Sequence, residues 1–377
     1  MKVYVDVYLA KNLGDDLFIH ILANKFPDIE FVVNYYGNDY DEFLSNYNNL
    51  KKSKYPFRYK LLNRMKIYDY INDTNRISEE YDVLLFFGGS IFREESYWKD
   101  LYEQREKMLQ AFKKKGKPVL VLGANFGPFH SQEFLKSYQR FFALCNDVCF
   151  RENYSKKLFQ NISCIRNEAD IVFQLKVGKR IKKDQIIYSV IEPNHKEGLR
   201  KYREEYIYSI SESILNNIRN DFLCILMSFC EQEGDLKVCN EIVDILPENL
   251  KHRVQILNYD GNIERMIKTI AESRLIIASR FHGNILGILC NTKVLPLIYS
   301  EKTSNVLEEI GFNTSIVKIE ECNKILDENF VSEILNTERQ LENVDTIYES
   351  AKRQFLILEE ILNSKRGENE EKAIIRN

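Results

Sequence analysis

The sequence has no Cys-X-X-Cys pair, no apolar run approaching the ~18 residues of a membrane span, and no surplus of positive charge. Each absence removes a class of function. Eight cysteines are present, but Cys224, Cys230 and Cys290 border apolar stretches and read as small buried hydrophobes. Reduced thiols are expected rather than a disulfide framework. A formal net charge of −3 gives no electrostatic footprint for nucleic acid, and Lys113, Lys114 and Lys115 read as a solvated helix end. The opening MKVYVDVYLA is too short and too polar for a signal-peptide core. Histidines 20, 130, 195, 252 and 282 lie far apart without ligand spacing, so no metal is expected. Asp39-Tyr40-Asp41 has the DxD form of metal-dependent sugar transferases, but it lacks a third ligand and reads as a polar loop or helix cap. No GxGxxG fingerprint marks a dinucleotide site, and no cofactor is expected. A soluble, cytoplasmic protein is expected.

What is present is ordinary globular composition, 44% hydrophobic and 29% charged, in 377 residues, more than one core usually organises. Short apolar, β-branched runs at 3–9, 30–36, 83–89, 118–125, 145–151 and 169–173 alternate with helical patterns such as 14–26 and 98–115. The pattern breaks in the basic stretch 174–185. It resumes with runs at 185–193, 222–229, 254–259, 274–279 and 293–299, again separated by amphipathic helices. Strands alternating with helices predict βαβ units and parallel sheets. The expected fold is α/β, two Rossmann-like, doubly wound domains facing a cleft. Residues 1–176 form the first and 186–335 the second, with C-terminal helices and a fraying, charged tail in 336–377.

Ligands of such folds meet the carboxyl ends of strands, and five unusual clusters fall there. Asn12, Gly14, Asp15 and Asp16 follow the first strand, as an N-cap or as a loop that lets backbone approach a ligand. Gly88, Gly89 and Ser90 follow the run 83–87, as a tight turn or an anion or sugar contact. Asn125 lies in a Gly- and Pro-bounded loop after the next strand. Arg151 directly follows another; alone it reads first as an ion pair with Glu152 or a helix end, and second as a fork onto phosphate or carboxylate. Finally Ser279, Arg280 and His282 stand where LIIA gives way to a helix. A cation at a helix N-terminus is unfavourable unless an anion offsets it, and the dipole disfavours protonated His until such an anion binds. The cluster therefore reads as an anion site carrying a general acid, or as a core His paired to a carbonyl.

In this order the segments resemble the polysaccharide pyruvyl transferase family. NLGDD is similar to that family's N-x-GD-[DE] loop, and FGGSIF to its G-G-G loop with Ser90 for the third Gly. GANFGPF is similar to G-x-G-x-G-P with Asn125 where Gly is common, RENYS to R-[DE]-x-x-S, and ADIVF to D-x-x-F. SRFHGN resembles the R-x-H helix, which a strand and a Lys, here Lys302, follow. The series spans about residues 1–310.

The resemblance implies a two-domain architecture like glycosyltransferase B. It implies transfer of the enolpyruvyl unit of phosphoenolpyruvate to a surface polysaccharide or its lipid-linked precursor, with a pyruvate ketal formed. It implies His282 as the acid, and Arg151, Arg280, Ser279 and Lys302 around the donor. The acceptor side would hold Asn12, Gly14, Asp15, Asp16, Gly88, Gly89, Ser90 and Asn125. Expected partners are phosphoenolpyruvate and an oligosaccharide or lipid-linked saccharide, with no nucleic acid and at most peripheral membrane association; a homo-oligomer is compatible. The alternatives are a glycosyltransferase using a nucleotide sugar, whose ribose would meet the Glu264 and Glu272 region, and a non-catalytic scaffold.

Overall fold

Apolar runs buried on both faces build two all-parallel sheets. The computed structural model of the chain describes residues 1–65, 67–341 and 343–364, so the charged tail expected to fray lies outside the described residues from 365 on. The first sheet comprises β1 (Lys2–Val7), β2 (Glu30–Val33), β3 (Leu50–Lys52), β4 (Val83–Phe87), β5 (Val119–Ala124), β6 (Asp147–Phe150) and β7 (Ile165–Asn167), in the order 3-2-1-4-5-6-7. The second comprises β8 (Lys183–Ser189), β9 (Leu223–Ser228), β10 (Val254–Asn258), β11 (Ser273–Ala278), β12 (Lys293–Ile298) and β13 (Val317–Lys318), in the order 10-9-8-11-12-13. Every residue of β4 and β5 is buried, as expected of strands covered by helices on both sides. In each sheet the strand order reverses once, between β1 and β4 and between β8 and β11, the doubly wound pattern.

Two compact units hold these sheets. The first consists of Met1–Tyr8, His20–Ile171 and the described residues from Tyr348 on; the second consists of Leu9–Ile19 and Val172–Ile347. The structure thus gives the loop after β1 to the second unit and the last described residues to the first. Each unit has its own apolar core. Phe86, Phe92, Phe134, Tyr138 and Phe142 dominate one. Tyr188, Tyr206, Ile210, Leu226 and Ile277 lie in the other.

One apolar run departs from expectation. Residues 169–173 form no strand; Ile171–Gln174 is a 3-10 turn, and the strand lies earlier, at β7. Asp170 is fully buried in an ion pair with Arg151, and the backbone turns at that anchor. No helix among the described residues is long and apolar enough to cross a membrane.

Candidate functional site

In the second unit, β11 ends at Ala278, and Arg280 occupies the N-cap position of helix Phe281–Leu289 with extended backbone. The anion that an arginine requires there is supplied by the chain itself. Arg280 Nε donates to Asp235 Oδ2 at 2.8 Å, Nη1 donates to Glu233 Oε2 at 2.7 Å, and Nη2 donates to Asp235 Oδ1. Asp235 opens helix Asp235–Ile245, where the dipole favours a carboxylate, and it also accepts from the Phe229 and Cys230 amides at 3.1 and 3.0 Å. Burial opposes the charge on Glu233, but Arg280 and Lys196 outweigh it and hold the carboxyl down at about 2. Burial pushes the Asp235 carboxyl up, against the pull of Arg280. Burial likewise opposes the Arg280 charge, and Asp235 and Glu233 overcome it, so its pKa is raised.

The N-terminal loop belongs to this same cluster. Leu13 N donates to Phe229 O at 3.1 Å, Asn12 Nδ2 to Glu233 Oε1 at 3.4 Å, and the Tyr259 hydroxyl to Asp16 Oδ2 at 2.7 Å. Asp16 is 1% exposed, whereas Asp15 is half-buried in the first turn of helix Leu13–Lys25. Gly14 touches His282 so closely that a Cβ there would lie 2.0 Å from Nδ1. The imidazole is half-buried and meets the rings of Phe18 and Phe281 edge-on at centroid distances of 5.9 and 4.9 Å. Lys302, in the first turn of helix Glu301–Glu309, holds its ammonium 4.9 Å from the Phe281 ring. Ser279 is buried, its Oγ 2.9 Å from the Tyr206 hydroxyl. The unit therefore gathers Asn12, Gly14, Asp16, Arg280, His282 and Lys302. The loop expected apart from His282, on the acceptor side, lies against it.

In the first unit, Gly88, Gly89, Ser90, Asn125 and Arg151 come together beyond β4, β5 and β6. Arg151 Nη1 donates to Asp170 Oδ2 at 2.8 Å and Nη2 donates to Asn125 Oδ1 at 2.7 Å. Ser90 Oγ donates to the same Asn125 oxygen at 3.1 Å. A Cβ on Gly89 would lie 2.6 Å from both Nη atoms of Arg151, so only glycine admits the guanidinium. The ion-pair reading of Arg151 is the one observed, but with Asp170 as partner; Glu152 instead caps the next helix by accepting from Ser155 N at 3.2 Å. With 1% of its side chain exposed, Arg151 anchors loops. A pocket of this unit, about 570 Å³, is lined by Tyr4, Asp6, Asn34, Phe86 and Arg105 among others.

Sequence reasoning missed Asp170, Glu233 and Asp235. Asp170 lay inside a recognised segment, and Gly234-Asp235 was visible as a helix start, but nothing local assigned either carboxylate to its arginine. Among the described residues no group of three His, Cys, Asp or Glu is placed to hold a metal ion.

A family model described as polysaccharide pyruvyl transferase matches residues 12–301, which include both arginine clusters and His282. The chain belongs to the polysaccharide pyruvyl transferase family. A curated relative, the amylovoran biosynthesis protein AmsJ of Erwinia amylovora, is 23% identical over 273 residues, 64% of this chain and 63% of that protein. The chain thus spans less than two thirds of that relative's length. Among solved structures, UDP-GlcNAc 2-epimerase from Methanocaldococcus jannaschii matches with a TM-score of 0.58 at 14% identity, covering 95% of this chain and 99% of that one. Anabaena HepE, solved with UDP and glucose, matches with a TM-score of 0.59 at 12% identity, covering 97% and 100%. These likenesses show the fold, two parallel-sheet α/β domains of the glycosyltransferase-B kind.

Proposed function

We propose that the chain transfers the enolpyruvyl unit of phosphoenolpyruvate to a polysaccharide or its lipid-linked precursor, leaving a pyruvate ketal and releasing phosphate. The observation that carries this reading is the His282 imidazole, seated against Gly14 in the first turn of a helix, with Lys302 over the ring of the adjacent Phe281. The positive end of that helix dipole, with Lys302, suits the donor's phosphate and carboxylate. Arg280 gives three N–H donors to Glu233 and Asp235, and a guanidinium has five, so it still has donors for the ligand. Ser279, bonded to Tyr206, shapes the strand end.

In this reading His282 in its protonated form delivers a proton to the methylene carbon of phosphoenolpyruvate, which makes C2 electrophilic. A sugar hydroxyl adds at C2 and gives up its proton to a base, a role assigned here to Asp15, the half-buried carboxylate of the loop. The C2–phosphate bond breaks, and a second hydroxyl closes the ketal. Of the two hydroxyl protons, one replaces the proton now on the methyl group and the other leaves on phosphate. General acid catalysis of this kind contributes ~10²–10⁴. Asp16, bonded to Tyr259, and Arg151, paired with Asp170, hold loop shape within their own units. The amylovoran biosynthesis role in the relative's name supports a polysaccharide acceptor.

The test is phosphate release from phosphoenolpyruvate with acceptor glycan. His282→Ala should lower kcat at least ~10²-fold while donor binding persists. Gly14→Ala should do nearly the same by displacing the ring, since small misplacements cost ~10²-fold. Phosphoenolpyruvate at 100 Kd should stabilise the protein by ~2.7 kcal/mol. Full turnover by His282→Ala, or stabilisation by UDP-sugars alone, would overturn the reading.

A further inference from the structure

Residues 51–67 hold seven Lys and Arg and no Asp or Glu, in a chain of formal net charge −3. Within them lies helix Phe57–Arg64, none of whose residues is buried. Surface helices ordinarily turn their apolar stripe toward the core; this one turns it outward. Phe57, Leu61 and Met65 are spaced i, i+4, i+8, one stripe of an α-helix, and are 83%, 53% and 59% exposed. Arg58 flanks the stripe on one side and Lys60 and Arg64 on the other, all exposed. The opposite side faces the protein. Tyr59 stacks on Tyr70 with centroids 4.3 Å apart, and Asn63 Nδ2 donates to the Tyr55 hydroxyl at 2.8 Å, so the outward orientation is fixed by packing. Lys51 and Lys52 pair with Glu30 and Asp41. Among the described residues no ion pair joins Arg58, Lys60 or Arg64 to a carboxylate.

We propose that this face of the first unit docks on an anionic lipid bilayer. Exposed apolar side chains rimmed by cations are what an interfacial helix presents: the apolar stripe enters the headgroup boundary and the cations meet lipid phosphates. A second copy fits poorly, because a two-fold interface through this face would set the three cations against their own copies. The inference goes beyond the transfer reaction and stands independently of it. Its bearing on that reaction is that docking brings the chain to the surface where a lipid-linked saccharide is anchored.

Flotation of the full chain with phosphatidylcholine vesicles, with and without phosphatidylglycerol, tests it. Binding is expected only to the anionic vesicles and should fall as salt rises from ~0.1 M to ~0.5 M. Each cation near such a surface is worth about fivefold in affinity, so reversing all three (Arg58→Glu, Lys60→Glu, Arg64→Glu) should weaken binding ~100-fold or more. Phe57→Ser with Leu61→Ser should weaken it at least ~10-fold, with an unchanged unfolding midpoint because both side chains are exposed. Phe57→Trp should show a blue-shifted emission on anionic vesicles. Failure of the unaltered chain to float, or flotation unaffected by the serine pair, would overturn the proposal. So would substitutions that abolish only self-association or capture of an acidic protein.

Discussion

An arginine enclosed at a strand end survives only with its charge matched, and this chain solves that problem twice in the same way. Arg151 is matched by Asp170 and Arg280 by Asp235, with both Asp side chains fully buried; breaking such a pair costs about 3–5 kcal/mol. Glu233 adds a pH dependence. Its carboxyl is held at about 2 in the folded protein against 4.5 unfolded. The stability it contributes is therefore complete above about pH 4.5 and lost as pH falls toward 2. With 27% of the side chain in solvent, that contribution is on the order of 2 kcal/mol. Urea unfolding of Glu233→Gln should lie below the unaltered chain by that amount near neutrality, with the gap closing on acidification. A gap constant with pH would show that Glu233 is not held by Arg280. Arg280 and His282 stood out in the sequence because a cation and an imidazole interrupt apolar runs at a helix start. The carboxylate 45 positions from Arg280 could not be assigned, because pairing across that separation is decided by topology and not by spacing.

At the scale of elements, the strands missed in the sequence share one property. β3, β7 and β13 are LKK, IRN and VK, three, three and two residues long, and each ends a sheet. Edge strands are short and half-solvated, so they carry little of the apolar signal that betrayed the central strands. The run at 169–173 erred in the other direction: it is apolar because it is buried, and burial does not distinguish a turn from a strand. Helix Phe281–Leu289 depends on close approach to its sheet. A Cβ on Gly287 would lie 2.6 Å from Cγ2 of both Ile276 in β11 and Val294 in β12. Gly287→Ala should destabilise by about 1–3 kcal/mol through overpacking, and adding Val294→Ala should recover part of the loss in thermal unfolding. No recovery would mean that the contact is not the cause.

At the scale of the molecule, the chain order does not follow the units. Sequence reading separated the two sheets at the basic stretch 174–185; in the structure β7 ends at Asn167 and β8 begins at Lys183. It could not foresee the exchange of ends, because nothing local marks which core a helix joins. Gln354, fully buried, donates to Phe150 O at 3.0 Å and accepts from Gly123 N at 3.1 Å, stitching the last described residues onto β5 and β6. A chain ending at residue 343 should therefore be cleaved by protease within 20–171 at least ~10-fold faster than the full chain, with 184–336 little changed; equal rates would show that the C-terminal residues are dispensable. The same stitch sets an order of events during synthesis. The first sheet's last strand ends at Asn167 and its clamp is Gln354, 187 residues later by subtraction, roughly 10–40 s at ribosomal rates. The unit made first is thus completed last, and for that interval its strand ends lack the amide that caps them, a window in which a chaperone has something to hold.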